Sequence, residues 1–204
     1  MDDVELPHCF IFLNQGNWVT ANNLRVGGGR LCSASCGLFD SRLEELISGT
    51  IHWRIDQQPD ASHGGFLSPF AGQRLGIGWQ AQLEADAELV RAEKFPHCPS
   101  RLAALFVFPD FETCQLVNQL HQWDLQQVAE MEYLAVRTSI CDMEIASIAN
   151  GMYQAGSVTR EFAQKLWKTY WSGGGINDLG VVPERPSIPE MLIDGWVRPT
   201  TKVV

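Results

Sequence analysis

Apolar positions along the chain fall into two patterns, short continuous runs and stripes of helical spacing. Residues 9–13, CFIFL, are apolar throughout and rich in aromatic side chains, which predicts a buried strand. The segment DSRLEELISGT (40–50) predicts a short helix. Asp40 or Ser41 would cap it, Leu43, Leu46 and Ile47 share one face, and Gly49 follows its end. Residues 79–95, WQAQLEADAELVRAEKF, place Leu83, Ala87, Val90 and Lys94 on one stripe with Leu89 beside it, a second helix. On that helix Glu84 and Glu88 stand one turn apart and Glu88 meets Arg91 at i,i+3, the usual pattern of a solvated face.

Two prolines then interrupt the helical period. Pro96 disfavours helical angles at Phe95, and Pro99 does the same at Cys98. The apolar run LAALFVF (102–108) predicts a strand covered on both faces. Arg101 stands at its mouth on a Pro-bracketed turn, a position suited to gripping an anion or to tying the turn to a carboxylate. Asp110 is placed to cap a helix over 111–123 that packs through Phe111, Leu116 and Leu120, and EYLAVRTSI (132–140) predicts another strand.

The segment 157–175 predicts the clearest helix, capped by Ser157 and ended by Gly173–Gly175. Phe162, Leu166 and Tyr170 form one ridge, and Ala163 and Trp167 an adjacent one. Tyr170 and Trp171 fall in its last turn, where a half-exposed ring offers a face for stacking. PEMLIDGWVRP (189–199) predicts a closing strand with a bend at Asp194-Gly195. Strands at both ends and in the middle, without strict βαβ alternation, indicate a single α+β domain over 1–204 with a mixed or antiparallel sheet. Residues 55–78, with five Gly and two Pro, read as a long connection and a candidate lid.

Composition narrows the function classes. A hydrophobic content of 45% with seven Trp indicates a packed globule. A net charge of −9 weighs against duplex nucleic acid or an anionic membrane as partner, while a local basic cleft remains compatible with one small anionic ligand. No apolar run approaches the roughly 18 residues of a membrane span. The start, MDDVELPHCF, is acidic where a signal peptide is basic, so a cytosolic protein is expected, or an effector delivered by another signal.

Among the cysteines, at 9, 32, 36, 98, 114 and 141, only Cys32 and Cys36 lie close. No second pair completes a zinc set, so reduced, mostly buried thiols are expected. Gly27–Gly29 before Arg30 read as a flexible loop or an anion cradle, and match neither common phosphate-loop spacing. Asp142, Glu144 and Asp178 are scattered acids from which a divalent-ion site is conceivable.

The stretch ELVRAEKFPHCPSRLAALFVF (88–108) resembles the signature of a family of uncharacterised bacterial proteins. That signature is E-x-x-R-x-x-x-F-P-x-x-P-S-R-L followed by an apolar strand. TYWSGGG (169–175) is similar to the family's Tyr-Trp and small residue, and PEMLIDGWV (189–197) to its closing strand, so the resemblance spans about the C-terminal half. It implies an ADP-ribosyltransferase-like fold, two small mixed or antiparallel sheets around an NAD cleft with helices packed outside. Such folds occur in toxins, effectors and phage–host conflict proteins.

The activity implied is mono-ADP-ribosyl transfer from NAD, with a protein as acceptor or partner. Positive charge develops on the ribose as nicotinamide leaves, and Glu190 matches the carboxylate that stabilises it. Tyr170 or Trp171 would hold nicotinamide, Arg101 or Arg30 would grip the pyrophosphate, and Ser100 would offer its hydroxyl beside Arg101. The sequence departs from such enzymes in the first strand, where they carry His or Arg. Here CFIFLNQGN has neither His nor Arg; His8 lies just before it, and Asn14, just after the apolar run, offers a ribose hydrogen bond without being the family residue. The alternative is a catalytically degenerate member of the same fold acting as a protein- or nucleotide-binding module.

Overall fold

A computed structural model describes residues 6–13, 27–33, 78–180 and 184–200, together with Ala21, Leu24 and Arg25. The expected helix over 40–50, residues 55–77 of the long connection, Asn14 and Cys36 lie outside the described residues. The described part is α+β, with one antiparallel sheet and four helices. The two sheets expected from the resemblance reduce to this one among the described residues.

Two long strands form its spine. β4 (Val128–Asp142) runs antiparallel to β5 (Pro189–Pro199), with Tyr133 opposite Val197 and Cys141 opposite Glu190. β1 (His8–Phe12) pairs with the start of β4, while β2 (Leu31–Cys32) and β3 (Leu105–Val107) pair with β5. Phe10 and Phe108 exchange backbone hydrogen bonds of 2.8 and 2.7 Å, so the order β1-β4-β5-β3 returns to β1. Alternate residues of these strands, Cys9, Val107, Met131, Met191, Ile193 and Val197, share the enclosed apolar cluster.

The opposite parity of β5 faces the helices. Leu192 packs with α1 (Gly78–Lys94), α3 (Met143–Gln154) and α4 (Arg160–Trp171) in a second cluster that includes Leu83, Ile145, Leu166 and Trp167. Glu190 has the parity of Leu192, so the strand's two-residue period turns its side chain toward the helix layer. α2 (Phe111–His121) covers a third cluster through Cys114 and Val117 with Leu116 beside them, while Phe111 and Leu120, expected to pack, are 40% and 46% exposed.

Several boundaries have local causes. Asp110 caps α2 by accepting from Thr113 N at 2.7 Å, as expected. α4 is capped by Thr159, whose Oγ1 accepts from Phe162 N at 3.2 Å, and not by Ser157, whose hydroxyl bonds the Met152 carbonyl. The strand expected over 102–108 shortens to 105–107 because Ala103 N and Ala104 N both bond the Ser100 carbonyl, folding 101–103 into a turn. The bend expected at Asp194-Gly195 is instead continuous strand beside a bulge between Ala135 and Arg137. A Cβ built on Gly195 would lie 2.0 Å from the Leu134 carbonyl oxygen, so only glycine allows this approach. No helix among the described residues is long and apolar enough to cross a membrane.

Candidate functional site

The three segments that carry the sequence resemblance meet at one point. Arg101 enters from the turn after α1, Tyr170 from the last turn of α4, and Glu190 from the start of β5. The Tyr170 hydroxyl donates to Glu190 Oε1 at 2.7 Å, and Arg101 Nη1 donates to Tyr170 Oη at 2.5 Å and to the same Glu190 oxygen at 3.3 Å. Arg101 Nε donates to Glu84 Oε2 at 3.3 Å. One guanidinium thus joins two carboxylates and a phenol.

The cluster is sealed. Side-chain exposure is 6% for Arg101, 8% for Glu190 and 1% for Glu84, and Tyr170 is fully buried. The Arg101 guanidinium carbon lies 5.0 Å from the Phe106 ring centre, 5.1 Å from that of Tyr170 and 5.8 Å from that of Trp167. These are cation–π distances, in a setting nearly closed to solvent. Burial raises the Glu190 carboxyl above the ordinary range, against the opposing pull of Arg101 and the Tyr170 hydrogen bond. Burial opposes the charge of Arg101, but the Tyr170 oxygen, Glu84 and Glu190 together hold its pKa well above the usual value.

A second network sets the turn that delivers Arg101. Glu88 takes Arg91 in a forked contact, Nε to both oxygens at 2.9 Å and Nη2 to Oε1 at 2.6 Å. The Ser100 hydroxyl donates to Glu88 Oε2 at 2.9 Å, and Arg91 Nη1 donates to the Cys98 carbonyl at 3.0 Å. The E-x-x-R-x-x-x-F-P-x-x-P-S-R pattern therefore encodes a clamp in which helix, Pro turn and Ser100 hold one another. Glu84 and Glu88, expected on a solvated face, are both buried. Pairing with Arg101 and with Arg91 and Ser100 offsets the cost of removing them from water.

The remaining expected residues sit elsewhere. Trp171 is 3% exposed and donates its indole N–H to the Ala87 carbonyl at 2.8 Å. Neither its ring nor that of Tyr170 is half exposed, contrary to the position expected from the glycine run. Arg30 lies over Trp196, 4.7 Å from the ring centre, on the β2–β5 side of the sheet. Gly29 N and Arg30 N bond the Leu24 and Gly27 carbonyls, which makes the glycine run a self-bonded turn.

Asp142 accepts from Glu144 N, Ile176 N and Ile188 N, Glu144 pairs with His121 and Arg185, and Asp178 accepts from Gly175 N. No group of three or more His, Cys, Asp or Glu among the described residues is arranged for a metal ion. A trough of about 1060 Å³ lies between α1, α3 and α4, lined by Trp79, Asp86, Leu89, Tyr153 and Val158, and it does not include Arg101, Tyr170 or Glu190.

The residue that the sequence pattern undervalued is Glu84. Its signal was an acid at the spacing of the buried Leu83–Ala87 face, on the same helix as the clamp acid Glu88. No protein-family model matches the chain, and comparison with curated proteins finds no match.

Proposed function

We propose that the chain works by binding a protein partner, on a scaffold similar to ADP-ribosyltransferases whose acid has become part of the framework. The supporting observation is the engagement of Glu190. A carboxylate that stabilises a sugar cation has to face the reacting carbon with its negative charge available. Glu190 instead gives one oxygen to both Tyr170 and Arg101 and keeps 8% of its side-chain surface. The first strand, β1, does begin with a His, but His8 is exposed and its ring bonds Glu130 of β4 at 2.8 Å. Leu89, Leu120, Trp123 and Ile140 are large apolar side chains at least 42% exposed, the material from which a protein contact is made.

A second reading keeps the transferase chemistry, with NAD as substrate, Glu190 as the acid and Arg101 as a donor to phosphate. It is favoured by one observation, the convergence of Arg101, Tyr170 and Glu190 from three separated segments around a carboxyl with a raised pKa. Incubation of the protein with NAD labelled in the nicotinamide ring, with and without cell lysate, separates the two. Binding alone predicts no released nicotinamide, and Glu190→Gln then changes only stability. Release that Glu190→Gln abolishes at an unchanged Tm would establish the second reading.

A further inference from the structure

The surroundings of Arg101 have the composition of a receptor for an organic cation. Three aromatic rings, Phe106, Tyr170 and Trp167, stand 5.0, 5.1 and 5.8 Å from the guanidinium carbon. Glu84 and Glu190 supply carboxylate oxygens at 3.3 Å to two different nitrogens, Nε and Nη1, and Tyr170 Oη lies 2.5 Å from Nη1. Aromatic faces with a carboxylate are the means by which proteins hold guanidinium and quaternary ammonium groups. Here the walls come from α1, β3, α4 and β5, so they are fixed by four separate elements. The occupant comes from the short turn after Pro99, which the Glu88–Arg91–Ser100 clamp anchors.

We infer that this space is a chamber for a planar organic cation that the chain fills with its own Arg101. The inference rests on the reading of Glu190 as internally engaged, and adds that the chamber recognises the cation itself, independently of its attachment to the backbone. A guanidinium suits it better than an ammonium, because flat faces stack against the rings while edge N–H groups reach both acids. The folded wild-type chain takes up no such ligand while Arg101 is in place.

The test is Arg101→Ala assayed by thermal unfolding in millimolar methylguanidinium, with urea and sodium chloride at matched concentration as controls. A ligand of the folded state raises Tm with a saturating dependence on its concentration. The expected result is a lowered Tm that recovers by several degrees in methylguanidinium alone, with no such rise in the wild type and none in Arg101→Ala/Glu190→Gln. Should Arg101→Ala not fold unaided, the yield of folded protein on dilution from denaturant, with and without methylguanidinium, replaces the Tm. No recovery in either format, or equal recovery in the controls, overturns the chamber. Nicotinamide release by the wild type would instead overturn the underlying reading of Glu190, so the two failures are distinct.

Discussion

Arg101 and Glu190, 89 residues apart, form an ion pair at 3.3 Å with side-chain exposures of 6% and 8%. Water contributes little to either charge, so each depends on the other and on Glu84 and Tyr170. Removing one member of such a cluster leaves an uncompensated buried charge. Arg101→Met is therefore expected to lower stability by about 3–5 kcal/mol in urea unfolding. Glu93→Gln, on an exposed side chain of α1, is expected to leave the denaturation midpoint unchanged.

The raised pKa of Glu190 gives stability a definite pH dependence. A carboxyl whose folded pKa lies above its unfolded value binds its proton more readily in the native state. Its contribution is complete below the ordinary glutamate value of 4.5 and is lost as pH rises through the folded pKa. The stability of the wild type relative to Glu190→Gln should thus be greatest in acid and decline as pH rises from that value. Unfolding of both proteins at a series of pH values checks this, and a difference that grows with pH would contradict it.

Gly195 offers a purely steric test. Its missing Cβ would overlap the Leu134 carbonyl oxygen at 2.0 Å, and both are backbone groups of central strands that cannot swing aside. Gly195→Ala is expected to cost about 3 kcal/mol or more, at the upper end of overpacking effects, measured by chemical denaturation.

Helix capping separates sequence expectation from structure at one residue. Thr159→Ala should cost about 1 kcal/mol and Ser157→Ala much less, because only Thr159 accepts from an amide of the first turn of α4. Paired urea melts of the two variants decide it.

What the sequence revealed and concealed follows from the range of the forces involved. The closing strand over 189–199 and the ridge Phe162, Leu166 and Tyr170 are local periodicities, and both were legible. α3 was not, because MEIASIANGMYQ carries Ala, Ser, Asn and Gly where a stripe of large apolar residues would mark a face. The burial of Glu84 and Glu88 was hidden for a different reason. An acid on a helix reads as solvated unless its partner is known, and Arg101 and Ser100 lie beyond two prolines. Glu190 shows the same limit from the other end. Its two-residue period places it on the helix side of β5, but its link to Arg101 spans most of the described chain.

Whether Arg101 holds Glu190 as part of the framework is decided by a double-mutant cycle. Arg101→Met, Glu190→Gln and the double variant are unfolded in urea beside the wild type, at a pH above the carboxyl range. Residues in direct contact within one network show coupling of about 0.5–3 kcal/mol, and this pair is expected at or above about 1.5 kcal/mol. Additive effects, with coupling near zero, would mean that the two charges do not sustain each other and that Glu190 is available for other work.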